Sequence, residues 1–172
     1  GVAPKHIKSV KGIFKAYCTR VGSGPFPSEL DNEEGQLLRD KGHEYGATTG
    51  RPRRTGWVDL VALKYAIMLN GVDELIMMKG DILSGFESIK AAVAYTVNGI
   101  STDEVPFEVC DTEVLAEYQD IKGWQEDISQ MKTYGVLPTT FKEYHKFLED
   151  YLDTPIKIIS VGPDRAQTIR VD

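Results

Sequence analysis

The stretch TTFKEYHKFLEDYLDTPIKIISV, residues 139–161, places a helical pattern directly before a strand pattern. Apolar and aromatic side chains recur in its first half at a period of about 3.6 residues, which is typical of a helix with one buried face. These side chains are Phe141, Tyr144, Leu148, Tyr151 and Leu152. Thr140 and Glu143 have the spacing of a capping box, and Pro155 ends the pattern. The apolar run 156–161 then predicts a short buried strand.

Strand signals recur through the rest of the chain. Residues 9–21 and 75–78 are rich in strand-forming side chains, and residues 111–119 form a further candidate strand. Residues 89–102 predict a hairpin, because Asn98-Gly99 at its centre is a strong two-residue turn signal. These strands lie between the helical patterns, which is the arrangement of an α/β protein.

Two further helices are predicted upstream. A short helix is expected to start near Ser28 as N-cap, to run through Leu37 and Leu38, and to end near Gly42. The stretch WVDLVALKYAIMLNG, residues 57–71, is apolar on nearly all sides, so it predicts a largely buried helix ended by a C-terminal glycine. Helix and strand signals alternate, so we expect an α/β or mixed α+β fold with a mixed sheet and flanking helices.

Composition narrows the function classes. The 172 residues suit one domain or part of a larger one, with a formal net charge of −6 and a pI near 5.1. This balance argues against a general nucleic-acid or anionic-membrane binder, and no apolar run reaches the roughly 18 residues that a membrane span needs. The three histidines show no metal-ligand spacing, so no metal site is predicted. Cys18 and Cys110 are expected to be buried reduced thiols.

A glycine- and arginine-rich loop stands out in this acidic chain. GATTGRPRRTGW, residues 46–57, contains Arg51, Arg53 and Arg54. Glycine lets backbone approach a ligand closely, threonine hydroxyls donate to oxyanions, and arginine presents a planar fork to a carboxylate or phosphate. From composition alone, an anion-binding loop and a solvated turn with surface ion pairs are equally good readings.

Three further loops follow strand patterns. Lys79 and Asp81, in MMKGD, suit recognition of guanine, whose N1–H and 2-amino group would donate to the carboxylate. From the pair alone, a solvated lysine beside a turn aspartate is the better explanation. SVGPDR, residues 160–165, and GSGPFPSEL, residues 22–30, are read as ligand-facing or merely structural turns. His43 lacks a nucleophile or orienting carboxylate at a catalytic spacing, so no catalytic residue is assigned.

Taken together and in order, four stretches resemble the C-terminal part of adenylosuccinate synthetase. They are FKAYCTRVGSGPFPSEL (14–30), GATTGRPRRTGWVDLVALKYA (46–66), KGD (79–81) and ISVGPDR (159–165). The resemblance implies that residues 1–172 are the C-terminal portion of a larger P-loop-type GTP-dependent ligase fold. That family joins IMP and L-aspartate, with hydrolysis of GTP, to make adenylosuccinate in AMP synthesis. It is a cytoplasmic, magnesium-dependent homodimer.

The resemblance also implies residue roles. In the first substrate region, the aspartate loop corresponds to Thr48, Thr49, Gly50 and Arg51, and the IMP ribose contacts to Arg51 and Val21. The GTP region corresponds to Arg53, to the guanine-reading pair Lys79 and Asp81, and to the other side of the guanine pocket at Ser160, Gly162 and Pro163. Gly80 and Thr55 depart from the family's usual residues, and we expect small effects from both.

The family's phosphate loop, catalytic residues and magnesium ligands are expected upstream of this sequence, because no G-x-x-x-x-G-K-[ST] motif occurs in it. The resemblance implies that the IMP 6-oxygen attacks the γ-phosphate of GTP and that aspartate then displaces the 6-phosphoryl group. We therefore expect the chain to carry the aspartate and guanine subsites and to be inactive alone. The alternatives are a stand-alone purine-nucleotide-binding module without catalysis, and an interaction domain whose arginine loop binds a protein.

Overall fold

The computed structural model describes residues 1–171, and in this range the chain forms ten β-strands and three α-helices. The strands are β1 (Lys11–Lys15), β2 (Cys18–Arg20), β3 (Arg54–Gly56), β4 (Val58–Asp59), β5 (Glu74–Met78), β6 (Ser88–Val97), β7 (Ile100–Thr102), β8 (Val114–Lys122), β9 (Ile156–Ser160) and β10 (Thr168–Arg170). The helices are α1 (Glu33–Lys41), α2 (Leu60–Asn70) and α3 (Thr139–Leu152). The mixed α/β class predicted from the alternating patterns is confirmed.

The central sheet has the strand order β1-β5-β9-β10. Strands β1, β5 and β9 are parallel, with Ile13 opposite Ile76 and Leu75 opposite Ile156, whereas β10 runs antiparallel to β9. Parallel neighbours end on the same side of a sheet, so the carboxyl ends of β1, β5 and β9 share one edge. This edge is where α/β proteins of this kind collect their ligands.

A second sheet contains β4, β6 and β7, with β8 also paired to β6, and β2 pairs separately with β3. The predicted hairpin is confirmed: Asn98 and Gly99 have φ values of 51° and 80°, the positive values that a tight turn between β6 and β7 requires. The predicted strand over 9–21 is two strands in different sheets. The break between the two strands falls at Ala16 and Tyr17, whose side chains are buried in the core.

Helix α1 lies where the sequence predicts a helix, but its N-cap is Asn32 and not Ser28. The side chain of Asn32 accepts a hydrogen bond of 3.0 Å from the backbone N–H of Gly35, while Ser28 is fully buried before the helix. Both residues are good caps by type, so the sequence does not distinguish them. Gly35 inside the helix has a packing reason, because a Cβ there would lie 2.0 Å from the carbonyl oxygen of Leu30.

Helix α2 ends at Gly71 as predicted, with φ of 57°, and Asp59 caps its start. The prediction that the helix is largely buried is wrong: within it only Leu60 and Val61 are buried, while Met68 and Leu69 are 65% and 62% exposed. A sequence that is apolar on every side of a helix predicts burial on every side, but here the rest of the chain packs against only part of the α2 surface. Among the helices of residues 1–171, none has the length and apolarity to cross a membrane.

Helix α3 and strand β9 form where the opening stretch predicts them, and the helix buries Phe141 against the ring of Trp124 at 4.8 Å between ring centroids. The predicted capping box is wrong, because the helix already begins at Thr139, after Pro138, and Thr140 lies inside it. His145 is a structural residue: its ring nitrogens lie 3.1 Å from the Tyr134 hydroxyl and 3.1 Å from a backbone carbonyl at the start of β9.

The two cysteines differ in environment. Both are free thiols, and Cys18 is partly buried, but Cys110 is exposed, so the prediction of two buried thiols is wrong for Cys110. Cys110 lies in the irregular segment between β7 and β8, where neighbouring Phe107 is 97% exposed. The apolar residues of this segment suggest burial, but the segment lies on the surface of the chain.

Candidate ligand-binding site

The shared edge of the central sheet gathers polar side chains from three strands. Lys15 ends β1, Lys79 and Asp81 follow β5, and Ser160 ends β9. A Cβ added at Gly80 would lie 3.5 Å from the carbonyl oxygen of Ser160, so the turn after β5 and the turn after β9 lie side by side. The sequence could not show this arrangement, which depends on the pairing of β5 with β9.

The turn after β5 has an unusual backbone. Lys79 has φ of 61° and ψ of 35°, a left-handed conformation, and a short 3₁₀ helix (Gly80–Leu83) follows. A side chain in this region costs roughly 1–2 kcal/mol, so surrounding contacts must hold it. The Nζ atom of Lys79 donates to the carbonyl oxygen of Gly42 and to the carboxylate of Glu44, at 2.7 Å in each case.

Asp81 carries an unsatisfied acceptor. Its Oδ1 atom is buried and has no hydrogen-bond partner within residues 1–171. Burial raises the pKa of Asp81, although the nearby positive charges of Lys79 and Lys41 oppose the shift. A buried carboxylate oxygen without a partner is costly, and donated N–H groups of a ligand would remove that cost. Asp81 is therefore a candidate polar contact for a ligand.

The loop after β9 is a tight turn. Ser160 is buried, and its hydroxyl donates a 2.9 Å hydrogen bond to the carbonyl oxygen of Gly162. A Cβ at Gly162 would lie 2.4 Å from the carboxamide of Gln167, so a side chain there would displace Gln167. Pro163 follows at the surface. The turn is thus held rigid beside the Lys79–Asp81 turn.

The arginine loop closes on itself through its backbone. Gly46 N–H donates to the carbonyl oxygen of Arg51 at 2.9 Å, and Gly50 N–H donates to that of Gly46 at 2.8 Å. Gly50 has φ of 65°, which favours glycine. The Thr49 hydroxyl accepts from the Arg51 N–H at 3.3 Å, and Thr48 is exposed beside it.

A cavity of about 400 Å³ lies against this loop. Its lining residues are Arg20, Val21, Gly22, Gly46, Thr49, Arg51, Pro52, Arg53 and Arg54. The structure therefore brings Val21 together with Arg51 and Arg53, as the resemblance implies. Within residues 1–171 the guanidinium of Arg51 makes no hydrogen bond or ion pair, so its fork is available to an anion.

Arg54 is a structural residue. Its guanidinium forms an ion pair with Glu29, with Nε 2.6 Å from Oε1, and also donates to the carbonyl oxygens of Gly22 and Gly24 at 3.0 and 2.9 Å. It lies over the ring of Phe26, 5.5 Å from the centroid. Arg54 thereby fixes the loop that begins at Val21.

Glu44 is a site residue that the sequence analysis missed. Its carboxylate is fully buried and accepts hydrogen bonds from Lys15 (2.8 Å), Tyr17 (2.6 Å), Arg53 (2.6 Å) and Lys79 (2.7 Å). Burial alone would raise the pKa of Glu44, but these four donors outweigh it and lower the pKa to about 2. Three cations pair with this one carboxylate, so the cluster carries a net charge of two positive units. No spacing in the sequence signals this cluster, because its members meet only in the fold.

In residues 1–171 no group of three or more His, Cys, Asp or Glu side chains is placed to hold a metal ion.

The chain is thus a mixed α/β protein whose described residues leave the Arg51 fork and one buried carboxylate oxygen without a partner. A sequence model of adenylosuccinate synthetase matches residues 1–169. The chain belongs to the adenylosuccinate synthetase family.

Two relatives described as adenylosuccinate synthetase show how much of such a protein is present. The one from Parabacteroides distasonis is 56% identical over 169 residues, and the one from Bacteroides fragilis is 57% identical over 169 residues. Each match covers 98% of this chain and 40% of the relative. The chain therefore spans about two fifths of the length of the curated relatives it matches.

A solved structure agrees with the fold. The fully ligated adenylosuccinate synthetase from Plasmodium falciparum matches this chain with a TM-score of 0.94 and 42% sequence identity. The match covers 100% of this chain and 42% of that protein. This chain thus adopts a part of the fold of that enzyme, and it is similar in sequence throughout its length.

Proposed function

We propose that this chain is the C-terminal portion of an adenylosuccinate synthetase, which joins IMP and L-aspartate with hydrolysis of GTP, and that it supplies the aspartate and guanine subsites. The observation that carries the proposal is the buried, unpartnered Oδ1 atom of Asp81, beside the turn that follows β9. This oxygen is the kind of acceptor that guanine recognition needs, and the chain belongs to a family named for adenylosuccinate synthetase.

Guanine offers two adjacent donors, the N1–H and the 2-amino group, to one carboxylate. Asp81 accepts both, while the stem of Lys79 lies along the purine face and its ammonium stays bound to Glu44 and to Gly42. Ser160, Gly162 and Pro163 form the opposite wall. A purine that lacks the 2-amino group leaves the carboxylate partly unpaired, and binding weakens.

The aspartate subsite is the arginine loop. L-aspartate has two carboxylates, and Arg51 offers a free fork to one of them. Arg53 lies close by, on the same cavity wall. Thr48, Thr49 and Gly50 contribute hydroxyl and backbone donors, and Val21 lies across the cavity, where the proposal places the IMP ribose.

The chemical steps divide between this chain and the rest of the longer protein. In the proposed reaction the IMP 6-oxygen takes the γ-phosphoryl group of GTP, and the aspartate amine then displaces that phosphate. This chain orients the aspartate amine and holds the guanine end of GTP. The phosphate cradle, the base and the ligands of Mg²⁺ are assigned to the remaining part of a cytoplasmic, homodimeric enzyme, so this chain alone does not turn over.

The guanine assignment is tested by calorimetry on the full-length protein that carries this chain, with GTP, ITP and ATP. Wild type should bind GTP more tightly than ITP, and Asp81→Ala should lose that preference. Asp120→Ala, which removes a surface carboxylate on β8, is the control and should behave as wild type. Equal affinity of wild type for GTP and ATP would contradict the assignment.

A second assay tests the division of labour. Residues 1–172 alone, supplied with IMP, GTP, L-aspartate and Mg²⁺, should produce no adenylosuccinate at steady state. Robust product formation by the isolated chain would contradict the proposal that the phosphoryl-transfer groups lie elsewhere.

A further inference from the structure

Glu44 is a buried carboxylate that accepts from four side chains, and the proposed subsites give it no contact with a ligand. We propose that Glu44 is a positioning residue that fixes the neck of the arginine loop and the Lys79–Asp81 turn relative to each other. The aspartate and guanine subsites are thereby held as one unit. The identity of the two ligands rests on the proposed function, but the positioning itself rests on the contacts of this chain.

Glu44 closes the neck of the arginine loop with both its backbone and its side chain. Its carbonyl oxygen accepts from the Arg53 N–H at 2.9 Å, and its Oε2 atom accepts from Arg53 Nη1 at 2.6 Å. The carbonyl oxygen of Arg53 accepts in turn from Arg39 Nε at 2.8 Å. Arg53 is therefore held from two sides, while its other N–H groups can still meet a ligand.

The other carboxylate oxygen of Glu44 holds the second element. Oε1 accepts from Lys79 Nζ, and the carbonyl oxygen of Gly42 in the same segment accepts from that ammonium as well. Lys79 is the left-handed residue from which the turn carrying Asp81 starts. Two charge-assisted hydrogen bonds thus offset the strain of the turn and set the direction in which Asp81 leaves the sheet.

The remaining donors make the position of Glu44 rigid. Lys15, at the end of β1, and Tyr17, between β1 and β2, also donate to Oε1, at 2.8 and 2.6 Å. A buried carboxylate with every oxygen satisfied resists movement, since any displacement breaks several bonds at once. The cluster therefore ties the arginine loop to the carboxyl ends of β1 and β5.

A merely structural role for Glu44 makes a different prediction. A general loss of stability would loosen the whole molecule and lower the amount of active enzyme, whereas loss of positioning would loosen two segments that are distant in sequence. Leu152→Ala serves as a destabilising control away from these two segments, because Leu152 is buried at the end of α3 and makes no hydrogen bond to Glu44.

The first test is hydrogen exchange on wild type, Glu44→Gln and Leu152→Ala without ligand. In Glu44→Gln, peptides covering 50–54 and 79–84 should exchange faster by about ten-fold or more, the effect of losing one charge-assisted hydrogen bond. Peptides from α3 should keep the wild-type rate, whereas Leu152→Ala should accelerate them. Wild-type exchange in either segment of a folded Glu44→Gln protein would overturn the proposal, as would uniform acceleration over the whole chain.

The second test is steady-state kinetics in the full-length protein. Glu44→Gln should raise KM for GTP and for L-aspartate by about ten-fold each, with kcat changed less. Leu152→Ala should leave both KM values unchanged. A rise in only one of the two KM values would overturn the coupling. If wild type uses neither GTP nor aspartate, the proposed function fails, and the exchange experiment still decides the role of Glu44.

Discussion

The Oε1 atom of Glu44 lies 2.7 Å from the Nζ atom of Lys79, although the two residues are 35 positions apart in the chain. The contact joins the segment that opens the arginine loop to the strained turn after β5. Because the carboxylate is buried and its three cationic partners are each only about one third exposed, the interaction is screened less than a surface ion pair. The charge state of Glu44 should therefore affect both stability and binding.

Acid should remove the stabilisation that Glu44 supplies. Folding lowers its pKa from 4.5 to about 2, so the stabilisation is fully present above about pH 4.5 and is lost as the pH falls toward 2. The shift corresponds to about 3 kcal/mol of unfolding free energy. Urea unfolding of wild type and Glu44→Gln at several pH values should show the difference between them shrinking in that window. A difference that is constant from pH 7 to pH 2.5 would contradict the assignment.

Arg51 and Arg54 line the same cavity but should respond oppositely to substitution. Arg51→Leu should leave the free energy of unfolding nearly unchanged, because within residues 1–171 its fork has no partner, and should weaken L-aspartate binding by roughly 2–5 kcal/mol in the full-length enzyme. Arg51→Lys should also bind poorly, since lysine lacks the planar fork. Unchanged apparent affinity for aspartate in Arg51→Leu would show that the loop is misassigned.

Arg54→Leu should instead destabilise the fold. It removes the ion pair with Glu29 and two hydrogen bonds to backbone carbonyls, a loss of about 1–3 kcal/mol. Thermal unfolding measures this directly. A melting temperature equal to that of wild type would mean that the Arg54 contacts contribute nothing to stability in solution.

Gly50 and Gly71 form a matched pair for separating strain from function. Both have positive φ, 65° and 57°, and a Cβ at either would meet no atom within 4 Å. Alanine at either position should therefore cost about 1 kcal/mol of unfolding free energy from backbone strain. Only Gly50→Ala should also weaken aspartate binding, because only Gly50 shapes the arginine loop. Equal aspartate affinity in the two variants would contradict the loop's role.

The sequence predicts those parts of the fold that local patterns determine. Helix α3 and strand β9 follow from a 3.6-residue period and an apolar run, and the β6–β7 hairpin follows from Asn98-Gly99. The buried fraction of α2 could not be predicted, because a uniformly apolar helix does not show which side its own chain covers. The N-cap of α1 was mispredicted for a related reason. Ser28 and Asn32 have similar capping chemistry, and only packing decides which of them caps the helix.

The candidate site divides in the same way. The arginine loop and the Lys79–Asp81 pair are visible as motifs, and their order along the chain matches that of a known family. Glu44 carries no motif, since its partners come from the end of β1, from the arginine loop and from the turn after β5. A lone glutamate between a histidine and a tyrosine reads as an ordinary surface residue, and its burial is a property of the tertiary structure alone.

The two thiols should react at very different rates. Cys110 is exposed, whereas packing around the sulfur of Cys18 raises its pKa to about 11, although part of the residue remains accessible. The thiolate is the reactive species, so at pH 8 little of Cys18 is ionised. Iodoacetamide at pH 8, followed by mass spectrometry of the native chain, should therefore label Cys110 within minutes and Cys18 far more slowly. Cys110→Ser should abolish the fast phase, and denaturation in urea should make Cys18 reactive. Equal labelling rates in the native protein would show that Cys18 is not shielded as the structure describes, and would place the β2–β3 strand pair, in which Cys18 lies opposite Gly56, in frequent local opening.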